Sequence, residues 1–395
     1  MKKQIILLPL LLLILTNLIF SQQLENWGIT SKFVDFTPNF SVGGLPTPPN
    51  NLPGYPSDPT YYYAGQKATY HQNSYHDPNG TLLFFIVDGE VYDGAGFKIG
   101  TIPTGLNTEV LIVPSDETVN CSDYYLLYGN GNAFAYLYSK LLRLSIQNST
   151  YFPGIPARRG ELYTGETELL DAEGGSCRSF KLAMGPTNTD GTRYVYAANC
   201  SDFCKVTFNP STGSLTFNSA TTVPVIPTNF SHRGELELIK LSNGSFRAAY
   251  SYMANWGSYI KSLLITYNLN PSGDVTSYVN WDNLSAATSE TIKGLEFSAN
   301  GNYLYFSQNH SPYLRYIDLV ANPNTVNNLS VSSAAEFRNG MIERGSDGKL
   351  YFVANNRLGS LGDSNNPSST WSSSVSGTSL GTNFYPNTYG SIAMA

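Results

Sequence analysis

The sequence predicts an all-β chain built from a repeated short-stranded unit, and three observations predict it. The 395 residues include 35 Gly and 22 Pro, so turn-forming residues are dense throughout. Only 13% are charged, against a typical ~25%, while aromatics reach 13% with 28 Tyr and 20 Phe. Finally, Asn-Gly and Asp-Gly turns recur ahead of short β-branched and aromatic runs, and helical periodicity is missing almost everywhere. High charge with few aromatics marks disorder, so this composition specifies a folded chain.

Taken in order, residues 1–21 read as an export signal. Lys2 and Lys3 supply the positive start, Ile5 to Phe20 is apolar except for Pro9, Thr16 and Asn17, and Ser21 precedes a cleavage point at Gln22. The apolar run is shorter than the ~20 residues of a membrane span, and no later stretch reaches that length. The mature chain is expected as one domain over 22–395, secreted or on the cell surface, without a membrane span. Formal charge is −6 for the full chain, and losing Lys2 and Lys3 makes it more negative still. No basic patch is visible, so nucleic acid is not an expected partner. The segment from Gly43 to Pro59 carries six Pro, reads as a surface loop, and cannot be interior strand.

The repeat carries the architecture. Its copies are Asn79-Gly80, Asp190-Gly191, Asn243-Gly244, Asn300-Gly301 and Asp347-Gly348, each followed by an apolar run such as Tyr303-Leu304-Tyr305-Phe306. These dipeptides accept the positive φ that tight antiparallel turns demand. A degenerate copy at Cys121-Ser122-Asp123 fills the widest gap and makes six units with a mean period of about 54 residues. That period, with several strands per unit, is the mark of a β-propeller. One unit is expected to run Gly294 to Ser298, Tyr303 to Ser307, Tyr313 to Leu319 and Leu329 to Ala334. Phe134 to Leu142 reads as a strand pair and Ser360 to Ser379 as a loop. Trp27 to Phe36 and Gly390 to Ala395 would complete a further blade and close the ring. The expectation is seven four-stranded blades, with six as the alternative.

Residues Gly294 to Leu319, with Phe297-Ser298, Asn300-Gly301, Tyr303-Leu304-Tyr305-Phe306-Ser307 and Tyr316-Ile317-Asp318-Leu319, resemble YVTN-type and WD40-like propeller repeats. The whole pattern is similar to secreted propellers of Gram-negative surface systems associated with type IX secretion, many of which carry a C-terminal sorting domain. The resemblance implies extracellular or cell-surface binding roles.

Chemistry is expected at the starts of inner strands, where a basic residue and Gly recur near a Glu. These are Arg159-Gly160-Glu161, Arg233-Gly234-Glu235-Leu236-Glu237, Lys293-Gly294-Leu295-Glu296 and Arg338-Asn339-Gly340 before Glu343. Inner strands line a propeller's central channel, so Glu237, Glu296 and Glu343, with His232 as a possible base, are the catalytic candidates. The competing reading is a ring of ion pairs between blades. Repetition favours it, because a catalytic site rarely needs the same group in every repeat. Arg233, Lys293, Arg338, Trp256 and Tyr252 are the candidate ligand contacts, with the pairs and triplets around Tyr61, Tyr124 and Tyr250 as further aromatic platforms.

Asp88, Glu90 and Asp93 read as solvated acids around a hairpin turn. His71 and His76 read as loop positions, and no metal or cofactor motif is present. Cys200 with Cys204, and Cys121 with Cys177, are the expected disulfides in an exported chain. Two functions follow from these residues: a monomeric non-catalytic module that binds a protein or glycan, or an extracellular hydrolase or lyase using channel carboxylates.

Overall fold

The computed structural model describes residues 26–29, 32–35, 41–47, 61–66, 68, 72–77, 81–103, 110–115, 123–130, 136–144, 160–170, 181–198, 202–222, 229–231, 235–255, 260–281, 292–308, 313–329, 342–345, 347–354 and 357–372. Its regular structure is strand, and the strands form successive antiparallel sheets along the chain. The first sheet is three-stranded: β1 (Asn26–Ile29), β2 (Lys32–Asp35) and β3 (Ser41–Gly44). The start of the Pro-rich segment is therefore strand, because β3 takes Gly43 and Gly44 before the first Pro of the run, Pro46.

Four-stranded sheets follow. The second holds β4 (Gln72–His76), β5 (Leu82–Val87), β6 (Glu90–Asp93) and β7 (Lys98–Thr101). The third holds β8 (Val110–Pro114), β9 (Asp123–Asn130), β10 (Tyr136–Leu144) and β11 (Gly160–Leu170), so the expected strand pair at Phe134 to Leu142 is one long strand. In the fourth lie β12 (Lys181–Thr187), β13 (Arg193–Ala198), β14 (Asp202–Asn209) and β15 (Ser214–Thr222). The fifth divides its inner strand into β16 (Asn229–Ser231) and β17 (Leu236–Lys240), both paired to β18 (Phe246–Asn255), with β19 (Ile260–Leu269) and β20 (Val275–Asn280) outside. The sixth is β21 (Ile292–Phe297), β22 (Tyr303–Gln308), β23 (Arg315–Asp318) and β24 (Asn322–Asn328).

Two boundaries depart from expectation in the later sheets. The outer strand of the sixth sheet is Asn322–Asn328, earlier than Leu329 to Ala334, because the turn at Leu319–Ala321 is short. The seventh sheet, β25 (Ile342–Arg344), β26 (Leu350–Ala354), β27 (Arg357–Leu361) and β28 (Trp371–Ser372), draws strand from the Ser-rich stretch that composition assigned to loop. Leu358 and Leu361 are buried there on opposite faces of the strand, and burial overrides the local polarity.

The turn glycines behave as the repeat demanded. Gly191, Gly244, Gly301 and Gly348 all have positive φ, between 70° and 83°, a region open to Gly at little cost. In each turn the Gly amide donates back three residues, as from Gly244 to Leu241 and from Gly301 to Ser298.

Core clusters lie between sheets rather than within them. One joins Leu111, Val113 and Leu127 of the third sheet to Leu182, Val195 and Phe208 of the fourth. The next joins Tyr196 and Phe203 to Leu236, Ala248 and Tyr267 of the fifth. Another joins Ala249 and Leu264 to Leu295, Phe297 and Phe306 of the sixth. Burying each such Leu or Phe contributes roughly 1.5–3 kcal/mol. Neighbouring first strands also touch in sequence: β8 with β12, β12 with β17, β17 with β21, and β21 with β25. Face-to-face stacking of successive four-stranded meanders with adjacent inner strands defines a β-propeller-type fold.

Candidate functional site

Inner strands β17, β21 and β25 bring three predicted glutamates to matching positions. Ser251 and Ser307 fix the register, since the Glu235 amide donates to the Ser251 hydroxyl at 3.1 Å and the Gly294 amide to the Ser307 hydroxyl at 3.1 Å. Two residues further on, Glu237 lies opposite Ala249, and Glu296 lies opposite Tyr305. Glu343 lies opposite Tyr351 on the next sheet. The pairing shifts by one residue between Ile292 and Gly294, where Lys293 is the extra residue. Gly294, next to it, has no side chain to obstruct the close backbone approach that such a shift brings.

All three glutamates are buried, at 6%, 5% and 2% exposure, so none projects into open solvent. Glu296 shows what such a position does. Its Oε1 accepts the Phe297 amide at 2.7 Å, and its Oε2 accepts the Arg344 amide of the next inner strand at 3.2 Å. Burial pushes its pKa up, while the Arg344 charge and the two amides pull the other way, and burial wins. Arg344 is itself buried. The carboxylate thus ties the sixth sheet to the seventh.

The remaining candidates separate. Tyr252, expected as a ligand contact, is 3% exposed and stacks on Tyr250 with ring centroids 5.3 Å apart. It packs the core between the fourth and fifth sheets because its strand position faces inward. Tyr124, Tyr125 and Tyr250 are buried for the same reason, while Tyr61 is 45% exposed. His232, Arg233, Trp256 and Arg338 lie outside the described residues, as do the Lys293 side chain and Cys121, Cys177 and Cys200. Cys204 is buried between the third and fourth sheets.

Around the second sheet's turn, Asp88 and Gly89 adopt φ of 49° and 86°, and Glu90 pairs with Lys98. Asp93 is fully buried rather than solvated, because its Oδ1 accepts the Ala95 and Phe97 amides at 2.9 Å each. Among the described residues no three His, Cys, Asp or Glu side chains group as a metal site, and no helix is long and apolar enough to cross a membrane.

Sequence reasoning missed a second repeated device, at the opposite strand ends. In three of the sheets an aromatic of the second strand meets the third-to-fourth-strand turn of the following sheet. Tyr196 donates to the Gly273 carbonyl at 3.0 Å, and Tyr305 donates to the Ser364 carbonyl at 2.8 Å. Tyr125 packs on Gly213, where a Cβ would run into its ring. The signal was present as aromatic residues in the runs after the turns, but which of them face across a seam depends on register.

Beside the Tyr196 lock, Lys205 reaches the same turn. Its ammonium donates to the Ser272 carbonyl, pairs with Asp274 at 2.8 Å and lies 4.1 Å from the centre of the Tyr194 ring. The locked turn forms one wall of an open cleft of about 350 Å3. The other walls are the Asn188–Asp190 turn of the fourth sheet and the Lys240–Phe246 turn of the fifth.

The fold defines a class, the β-propellers, and goes no further toward a particular protein. A scan against protein-family profiles finds no match, and a search of curated proteins finds none. Among solved structures the chain is similar to a structure described as the Dos1 propeller, at 13% identity and TM-score 0.42, covering 89% of this chain and 85% of that one. It is also similar to an α-L-arabinofuranosidase from Fusarium graminearum, solved with an iminosugar inhibitor, at 11% identity and TM-score 0.43, covering 89% and 97%. A protein from Lactobacillus plantarum aligns at 12% identity and TM-score 0.45, covering 85% and 90%.

Proposed function

We propose that this chain is an exported, non-catalytic propeller that binds a protein or glycan partner outside the cell or at its surface. In this reading residues 22–395 form one monomeric ring of seven blades after cleavage before Gln22. The observation that supports it best is the use made of Glu296. Both of its oxygens hold backbone amides, one from the neighbouring sheet, so its carboxylate serves a seam. A general acid needs a proton directed at substrate, and an oxygen already committed to a backbone donor is poorly placed for that.

A hydrolase or lyase is the second reading, favoured by the raised pKa of the same group, since catalytic acids are often tuned upward by burial. One experiment separates the two. The secreted full chain is incubated with a polysaccharide panel, and both retention in affinity gels and release of reducing ends are followed. The binding reading expects retention without turnover. Reducing-end release that Glu296→Gln abolishes in a folded variant would establish the enzyme instead.

A further inference from the structure

We propose that the cleft between the fourth and fifth sheets binds a neutral carbohydrate of one or two sugar rings; the inference rests on the binding reading above. Size sets the first limit, since about 350 Å3 lies at the small end of the ~300–1,000 Å3 that small-molecule sites occupy.

Charge sets the second limit. Asp190 and Lys240 are the charged residues in the lining, and neither makes an ion pair among the described residues. Their charges oppose one another, and the nearby Lys205 and Asp274 neutralise each other. An anionic or a cationic ligand therefore gains no net field from the cleft, whereas a neutral one can accept from the ammonium and donate to the carboxylate.

The lining chemistry fits hydroxyl groups. Thr187, Thr189 and Ser272 offer hydroxyls that both donate and accept, so only a ligand rich in such groups returns the hydrogen bonds lost when water leaves. Asp190 Oδ1 is engaged by the Thr192 amide at 3.0 Å and hydroxyl at 2.6 Å, which fixes the carboxylate for a ligand hydroxyl. Tyr194 adds a partly exposed ring against which the C–H face of a sugar can lie. Lys205 and Tyr196 hold the far wall in place, so little ordering is needed on binding.

The test is an array of neutral and acidic oligosaccharides probed with the secreted full chain. Asp190→Asn, Asp190→Ala, Lys240→Ala and the control Thr216→Ala are run alongside, each checked for folding by thermal unfolding. The inference expects neutral glycans to bind, Asp190→Ala to weaken them at least about tenfold, and Thr216→Ala to leave them unchanged. Asp190→Asn keeps an oxygen for Thr192, so it separates lost ligand contacts from a lost turn. Neutral glycan binding that is insensitive to the cleft variants would overturn the inference and leave the binding reading standing. Binding confined to acidic glycans, or to none, would also overturn it. Glu296-dependent reducing-end release would mark failure of the parent reading instead.

Discussion

Glu296 on one inner strand accepts the backbone amide of Arg344 on the next at 3.2 Å, and the Arg344 charge favours the ionised carboxylate. Two adjacent sheets are thereby joined at the innermost strands, where a closed ring of sheets must be held against splaying. A buried carboxylate is costly unless it is hydrogen-bonded and faces opposite charge, and Glu296 has both.

Burial still holds the Glu296 pKa above the ordinary glutamate value of 4.5. A carboxylate whose folded pKa is raised binds more protons folded than unfolded, so its contribution to stability falls as pH rises through that window. The stability difference between wild type and Glu296→Gln should therefore grow in favour of wild type as pH drops through the window. Urea unfolding at a series of pH values measures it, and a difference that does not change with pH would contradict the shift.

Gly273 has φ +79°, and a Cβ there would collide with the Tyr196 hydroxyl, whereas Gly191 at φ +83° has open space around it. Gly191→Ala should cost about 1–2 kcal/mol from backbone strain alone. Gly273→Ala should cost about 1–3 kcal/mol more, because the clash with the lock is added. Equal losses in denaturant unfolding would mean that the turn does not press on Tyr196.

Removing the tyrosine hydroxyls tests the same device. Tyr196→Phe and Tyr305→Phe each leave a turn carbonyl without its donor, at Gly273 and Ser364 respectively, and each should lose about 1 kcal/mol. Tyr303→Phe serves as the comparison and should change stability little.

Asp274 is held below the usual carboxylate range, first by its hydrogen bond from Lys205. A depressed folded pKa contributes stability that is present above the unfolded value of 3.8 and is lost as pH falls through the folded one. Asp274→Asn should therefore flatten the loss of stability at the acid end by lowering the neutral plateau, where buried Lys205 loses its partner, and the loss should be modest because Asp274 itself is half-exposed. Acid titration of the unfolding midpoint reads this out.

The architecture was legible because the strongest local signals were also the structural ones. Asn-Gly and Asp-Gly turns with positive φ mark the first hairpin of sheet after sheet, and the Gly294–Glu296 motif does occupy an inner strand. Strand limits at Asn322–Asn328 and Arg357–Leu361 were not legible, since polar residues there are recruited by pairing and burial rather than by propensity. Tyr252 was misjudged for a related reason. Alternation says that a tyrosine faces one side of a sheet, but in stacked sheets both sides can be core. The cleft was invisible because Asp190, Lys240 and Ser272 come from three turns that only the stacking of two sheets brings together.

The most direct test of the seam is a double-mutant cycle between Glu296 and Arg344, using Glu296→Gln, Arg344→Met and the double variant in urea unfolding. The account predicts a favourable coupling of about 1–3 kcal/mol, with the double variant more stable than the sum of the single losses implies. Coupling near zero, with each loss independent of the other, would show that the Arg344 charge does not support the Glu296 carboxylate across the seam and would leave only the backbone hydrogen bond joining the two sheets.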